Sequence, residues 1–275
     1  MGPTRQRFVD GPIDLVIDID ADPATATSAF DSAYLKFEGI LPELVSELEV
    51  LRSPTSNPRA LDGEIAITMR SAAERCSGDA FSTPMIAVAG AVADFIKQEI
   101  SNVTGVRKAT VNNGGDISIV LSETRTAVIG VVESLGTRQP ASRIEIAWES
   151  PIRGVATSGA GGRSLSLGIA DSVTTFARTA AVADAAATFI ANRVDIDHHP
   201  GIERRAADMI DEGAGLGNRP VPVRIPELSQ DEATQALQNG VLEARRLYGQ
   251  GVIEAAFLTL QGQREFVGQA VTGLG

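Results

Sequence analysis

Aromatic residues make up only 4% of this 275-residue chain, and there is a single tryptophan. Platforms that stack the bases of single-stranded nucleic acid are built from such rings, so their scarcity argues against that ligand class. One cysteine, Cys76, excludes an intramolecular disulfide and any all-cysteine metal site, and it is what a reducing compartment allows. Its expected role is packing. Positive charge is also short. Lys and Arg number 24 against 35 Asp and Glu, a net charge of −11, and the bases do not cluster along the chain, so DNA and RNA backbones are expected to be repelled. No stretch approaches the ~18 uninterrupted apolar residues of a membrane span. The amino-terminal residues hold neither an apolar run of signal length nor a lipid-attachment cysteine, and the expectation is a soluble cytoplasmic protein with no nucleic-acid or membrane partner.

Hydrophobic residues are 43% of the chain and the mean hydropathy is +0.05, an ordinary globular composition. Dividing the length by about 150 residues per domain allows two domains or one large one. With no linker, abrupt charge shift or fixed-period repeat, one continuous domain over residues 1–275 is expected. Residues 13–20 alternate apolar and acidic positions, the pattern of a strand with one wet face. Residues 28–51 read as a helix broken at Pro42. A Pro/Ser/Asn loop follows, and residues 63–70 read as a second strand. Ser82 or Thr83 as cap and Pro84 at the first helical position open a helix to Ile100, whose first half is small and apolar on every side.

Strands are expected at 108–112, 116–121, 127–132 and 143–148. Residues 155–162 read as a loop, 164–176 as strand-like and 179–192 as a second Ala-rich helix. Ser229 and Glu232 form a capping box for a helix to about Tyr248, and a last strand is expected over 251–261. Strands and helices mix without a regular strand-helix-strand repeat. The expected class is therefore α+β, with mixed or antiparallel sheets and packed small-residue helices.

Four constellations can carry chemistry. In Asn113-Gly114-Gly115-Asp116 the glycines let the backbone approach a ligand and turn amides outward, while the polar side chains can bind nucleotide or sugar edges. The plainer reading is a hairpin turn, for which Asn-Gly and Gly-Asp are usual. In the loop from Gly154 to Ser164, Thr157, Ser158 and Gly159 can cradle phosphate, with Arg163 as the nearby positive charge. The Gly-Lys-Ser/Thr ending of a Walker loop is missing, and a flexible surface loop fits equally well.

Asp184 and Thr188 lie four apart on one helical face and can offer a carboxylate and a hydroxyl to a hard cation. Alternatively, Asp184 caps or neutralises something structural; an acid in so apolar a helix is costly to bury unless something specific faces it. His198 and His199, the only histidines, lie between Asp197 and Pro200. One of them can join a metal or act as acid or base, and an exposed loop pair is the plainer reading. No Gly-x-Ser-x-Gly elbow, His-Glu-x-x-His or complete nucleotide fingerprint is present.

Taken in order, Asn113-Gly114-Gly115-Asp116-Ile117, Gly154-Val155-Ala156-Thr157-Ser158-Gly159 and Asp184-Ala185-Ala186-Ala187-Thr188 resemble the ApbE superfamily, whose best-known members are FAD:protein FMN transferases. The wording around Thr83-Pro84-Met85, Ala89-Gly90-Ala91-Val92-Ala93 and Arg163 to Asp171 is similar to a shorter cytosolic branch, and the likeness runs from about residue 63 to the carboxyl end. The resemblance implies an ApbE-like fold, with Asn113, Gly114, Gly115, Asp116, Thr157, Ser158 and Gly159 against FAD and with Asp184 and Thr188 as magnesium ligands. The metal would sit on the pyrophosphate as FMN passes to a protein threonine.

The chain departs from the transferases in the segment after Thr-Ser-Gly and in the secretory lipoprotein signal common among them. They carry a His-Ile-Ile-Asp-Pro-like stretch after Thr-Ser-Gly, whereas residues 163–168 here contain no histidine. Ser158, Arg163, Ser164 and His199 are the remaining candidates for the chemistry, although Arg163 cannot act as a base. The expectation is a magnesium-dependent, flavin-handling protein, at its most specific a cytosolic FMN transferase with a protein acceptor. The alternatives are an enzyme of the same fold acting on a small anionic or heterocyclic metabolite, and a non-catalytic binding or assembly protein. The small-residue helices also suggest a homodimer.

Overall fold

The structure is a computed structural model that describes residues 4–78, 80–133, 140–162 and 164–269. Its strands are β1 (Thr4–Asp10), β2 (Ile13–Asp20), β3 (Lys108–Asn113), β4 (Asp116–Leu121), β5 (Thr126–Val132), β6 (Pro140–Ala147), β7 (Gly154–Ser158), β8 (Ser172–Ala177), β9 (Glu203–Ala206), β10 (Pro220–Arg224), β11 (Ala255–Leu260) and β12 (Gln263–Gly268). The helices are α1 (Pro23–Phe37), α2 (Ile40–Ser46), α3 (Leu48–Leu51), α4 (Glu64–Ser77), α5 (Val88–Ser101), α6 (Ala180–Ala191) and α7 (Gln230–Gly249). Eight strands form one sheet in the order β1-β2-β3-β4-β7-β8-β11-β12, every neighbour antiparallel. Mixed helices and antiparallel sheet are the class expected from the pattern of elements.

Strand alternation gives this sheet two different faces. On one, Leu15, Ile17, Val111, Ala156 and Val173 meet the apolar stripes of the helices in the larger core. On the other, Ile119, Val155, Phe176 and Phe257 are covered by Ile129, Ile144 and Ile146 of the separate β5–β6 hairpin. That hairpin stops short of β1–β3, whose outer face keeps Asp14, Asp18 and Asp20 half-exposed.

Several segments differ from their sequence-based reading. Residues 63–70 are not a strand but the first half of α4. The β-branched Ile65, Ile67 and Thr68 imitate a strand, yet the buried positions Ile65, Met69, Ala72, Ala73 and Cys76 recur at helical spacing. The amino-terminal strand β1 had no period-two signal, because Arg5 and Arg7 on its outer side pair with acids of β2. The first part of the Gly/Ser/Thr stretch is the strand β7, whereas only residues 172–176 of the run 164–176 are extended, as the start of β8. The final strand is joined by β12 through a tight turn at Gln261-Gly262. Cys76 is buried, and burial pushes its thiol up to about 12, in keeping with packing.

The two small-residue helices cross at almost backbone contact. A Cβ added at Gly90 of α5 would stand 2.2 Å from the carbonyl oxygen of Ala180 at the start of α6. That neighbour is main chain and cannot swing aside. Gly90→Ala is expected to destabilise the fold by about 2–4 kcal/mol in urea unfolding, the range of severe overpacking. At Gly249, where a Cβ meets nothing within 4 Å, alanine should change stability by less than about 1 kcal/mol.

Candidate functional site

The crossing of α5 and α6 leaves two helix N-termini beside each other, and each is capped by an acid from the other helix. Asp94 of α5 accepts the amides of Ala180 (3.1 Å to Oδ1) and Ala181 (2.9 Å to Oδ2), the first two of α6. Thr179 Oγ1 accepts the next amide, that of Val182, at 3.3 Å. In return, Asp184 Oδ2 of α6 accepts the Gly90 amide of α5 at 3.0 Å, and the Ala89 amide also favours its charged form. Helix N-termini expose unpaired N–H groups and a partial positive charge, so a carboxylate is the natural partner for each. Ser118 on β4 donates to Asp94 Oδ1 at 2.6 Å, fastening the pair to the sheet.

The Asn113–Asp116 segment is the hairpin turn between β3 and β4, with Gly114 and Gly115 at φ +68° and +123°. Those angles belong to glycine. Asn112 Oδ1 accepts the Gly115 amide at 2.8 Å and stiffens the turn. Asn113 is buried and points to the helix side, where its Nδ2 donates to the carbonyl of Ala89 at 3.2 Å. Thus the turn is tied directly to the start of α5. Asp116 lies on the same face and accepts the Thr157 amide at 3.3 Å.

Burial pushes the Asp184 carboxyl well above its usual range, repulsion from Asp116 and Asp94 adds to this, and the Gly90 and Ala89 amides oppose it. Thr188 follows one helical turn later on the same face. Strand alternation separates the other candidates. Ser158 lies on the helix side beside Asp116, while Thr157 turns outward, its Oγ1 2.8 Å from Thr174 Oγ1. Beyond Ser158 the chain leaves the sheet at Gly159, and the Ala160 amide donates to the Ala170 carbonyl at 2.8 Å.

Ser164 is exposed in a bend, and Arg163 lies outside the described residues. His199 stands at the start of α7, its Nε2 3.2 Å from Glu232 Oε1 and its Nδ1 accepting the Gly201 amide at 3.1 Å. The first contact belongs to the α7 cap and the second to the histidine's own loop, and no hydrogen bond joins this histidine to Asp116, Ser158 or Asp184 among the described residues. Asp94 and Ser118 went unnoticed in the sequence. Asp94 carries the same signal as Asp184, an acid within a small apolar helix.

The arrangement therefore gathers hard oxygen donors and like charges at one end of the sheet. Among the described residues no group of three or more His, Cys, Asp or Glu side chains is placed to hold one ion. Asp184 and Thr188, with Asp116 near, leave a cation dependent on water or a ligand for its other donors. Among the described residues no helix is long and apolar enough to cross a membrane.

Because the native carboxyl of Asp184 titrates above its unfolded value, its contribution to stability is complete below about pH 4. It is lost as pH rises through the raised native value. Asp184→Asn does not titrate, so urea unfolding across pH 4–8 should show wild type losing its advantage over this variant as pH rises. A gap that widens with pH would contradict the assignment. Asp184→Ala, lacking any acceptor for the Gly90 amide, should lose about 1–3 kcal/mol at acid pH.

A family model described as AbpE bacteria matches residues 2–266. Among curated proteins the chain is similar to the UPF0280 protein of Methanopyrus kandleri, 36% identical over 159 residues that cover 57% of this chain and 61% of that protein. It is also similar to the UPF0280 protein of Methanothermobacter thermautotrophicus, 36% identical over 132 residues that cover 48% and 49%. The matched stretch spans about half to three fifths of these relatives' own length. Among solved structures it resembles the flavinyl transferase ApbE of Pseudomonas stutzeri in its apo form, with a TM-score of 0.51, 11% identity and coverage of 97% and 96%. A mutant of the flavin transferase ApbE of Vibrio cholerae gives a TM-score of 0.52, 12% identity and coverage of 97% of each chain. Likeness at that identity is likeness of fold, while the family model spans nearly the whole sequence: the chain belongs to this ApbE-like family.

Proposed function

We propose that the protein binds a flavin dinucleotide at the end of the sheet where the Gly114–Gly115 turn, Ser158 and the α5–α6 crossing meet, and that it passes FMN from FAD to a protein hydroxyl. The observation that carries this reading is the placement of Asp184, a carboxylate crowded by Asp116 and Asp94 beside an open glycine turn. Family membership and the flavin transferases of like fold supply the substrate class.

The donor set fits magnesium. Carboxylate and hydroxyl oxygens are hard ligands, and mutual repulsion among the acids makes the uncompensated charge of Asp184 costly. Asp184 and Thr188 would hold the ion, with Asp116 at its side, and the ion would supply neutralisation of pyrophosphate charge. Gly114 and Gly115 present main chain to the ligand without side-chain bulk. Asn113 holds the turn against α5, and Asp116 keeps the Thr157 amide, hence the Ser158–Gly159 segment, in register with it.

Ser164 would meet phosphate oxygens, and Arg163, its neighbour in sequence, is the candidate for the accompanying positive charge. In the transfer, the acceptor hydroxyl oxygen forms a bond to the FMN phosphorus while the bond to the AMP oxygen breaks and AMP departs. The hydroxyl proton passes to a carboxylate of the site, for which Asp116 is the candidate. The imidazole of His199 is already committed to Glu232 and to the Gly201 amide.

Calorimetric titration of metal-stripped protein with FAD, with and without magnesium, tests this reading. Binding of about micromolar strength that requires magnesium and weakens at least about tenfold in Asp184→Ala is expected. A folded wild-type protein that leaves FAD unbound, while binding small carboxylic acids, would replace it with the small-metabolite alternative.

A further inference from the structure

The outer face of β1–β3 is the part of the sheet that the β5–β6 hairpin leaves uncovered, and its charge runs against that of the chain. Arg5 and Arg7 pair with Asp18 and Asp14 at 2.8 and 2.7 Å. At the far end three bases surround one acid: Arg107 lies 2.6 Å and Arg125 3.9 Å from Asp20, and Lys108 acts on the same carboxylate. Among the described residues each acid on this face is thus matched, and five bases stand against three acids, on a protein whose net charge is −11. Both arginines at Asp20 remain nearly half-exposed.

Beside this face runs an open strand edge. Among the described strands β5 pairs only with β6, so its other edge carries main-chain groups that no strand takes up. Val128, Ile129 and Gly130 on β5 line a cleft of about 360 Å³ with Val16, Ile117 and Asn112. The cleft lies between the basic cluster and the glycine turn, because Lys108, Thr110 and Asn112 follow one another along the outer side of β3. Asn112 is also the residue that holds the Gly115 amide.

We propose that this face and the open edge of β5 form a docking track for an acidic, extended polypeptide segment, which belongs to the acceptor protein of the transfer described above. The assignment to an acceptor rests on that reading. The excess of cations calls for an anionic partner, and the open edge adds main-chain hydrogen bonds that a peptide uses and a nucleic acid does not. Asp14 and Asp18 along the track repel a continuous phosphate backbone but suit a chain whose carboxylates alternate with apolar side chains, the latter entering the cleft at Val16 and Ile117. A segment laid this way runs from the Arg107–Arg125 end towards the Gly114–Gly115 turn, delivering its leading residues to the rim of the flavin site.

Fluorescence anisotropy of a short fluorescein-labelled peptide alternating glutamate with valine tests the track, with the lysine–valine peptide and a thymidine oligonucleotide as competing probes. The glutamate peptide should bind, weaken as salt rises, lose about tenfold in affinity in the Arg107→Ala, Arg125→Ala double variant, and bind more tightly to Asp20→Asn, which frees the cations. Absence of saturable binding, indifference to these substitutions, or preference for the lysine peptide or the oligonucleotide would overturn the proposal. FAD titration of the same variants separates the two readings. FAD binding without peptide binding sinks the track alone, whereas peptide binding by a protein that ignores FAD sinks the acceptor assignment and leaves the track.

Discussion

The exchange of carboxylates across the α5–α6 crossing is the constraint on which the site depends. Two helices of small residues approach so closely that any side chain at Gly90 would strike the Ala180 carbonyl, and their N-terminal amides need acceptors at the crossing. Asp94 and Asp184 supply the missing acceptors, each to the other's helix. Charge-assisted bonds of this kind contribute roughly 1.5–3 kcal/mol each, more than neutral ones, so the crossing is both tight and specific. The same exchange has a consequence for chemistry. It holds Asp184 beside Asp116, in a place where burial and like charge make the ionised carboxyl costly and a cation would lower that cost.

The sheet then distributes function between its faces. Period-two alternation sends Asn113, Asp116 and Ser158 to the helix side and Asn112, Ile117 and Thr157 to the other. The two sets meet only at the sheet's end, where Gly114 and Gly115 turn the chain. The proposed flavin site on one face and the proposed peptide track on the other would therefore be joined by a single two-residue turn. Asn113 ties that turn to α5, and Asn112 ties it to itself.

Much of this was legible from residue order. The β3–β4 hairpin followed from Asn-Gly and Gly-Asp between alternating segments, the capping box at Ser229 and Glu232 formed as read, and the apolar surroundings of Asp184 announced that something specific faces it. The facing groups themselves were not legible, since the amide of Gly90 is 94 residues away in sequence and main-chain partners leave no mark on composition. Asp94 bears the same mark as Asp184, an acid in a small apolar helix, and only its partners across the crossing were hidden. The α4 segment was misread because β-branched residues at its start hide a helical stripe visible only over the full 14 residues. The outer basic cluster was invisible because Arg107 and Lys108 stand apart in sequence from Arg125 and from Asp20, and only strand pairing brings them together.

The most direct measurement is a crystal structure of the protein with FAD and manganese in place of magnesium, with the ion located by its anomalous scattering. The account predicts manganese on Asp184 and Thr188, against the FAD pyrophosphate, with the Gly114–Gly115 turn along the ligand. Manganese elsewhere, or FAD bound away from the α5–α6 crossing, would contradict it.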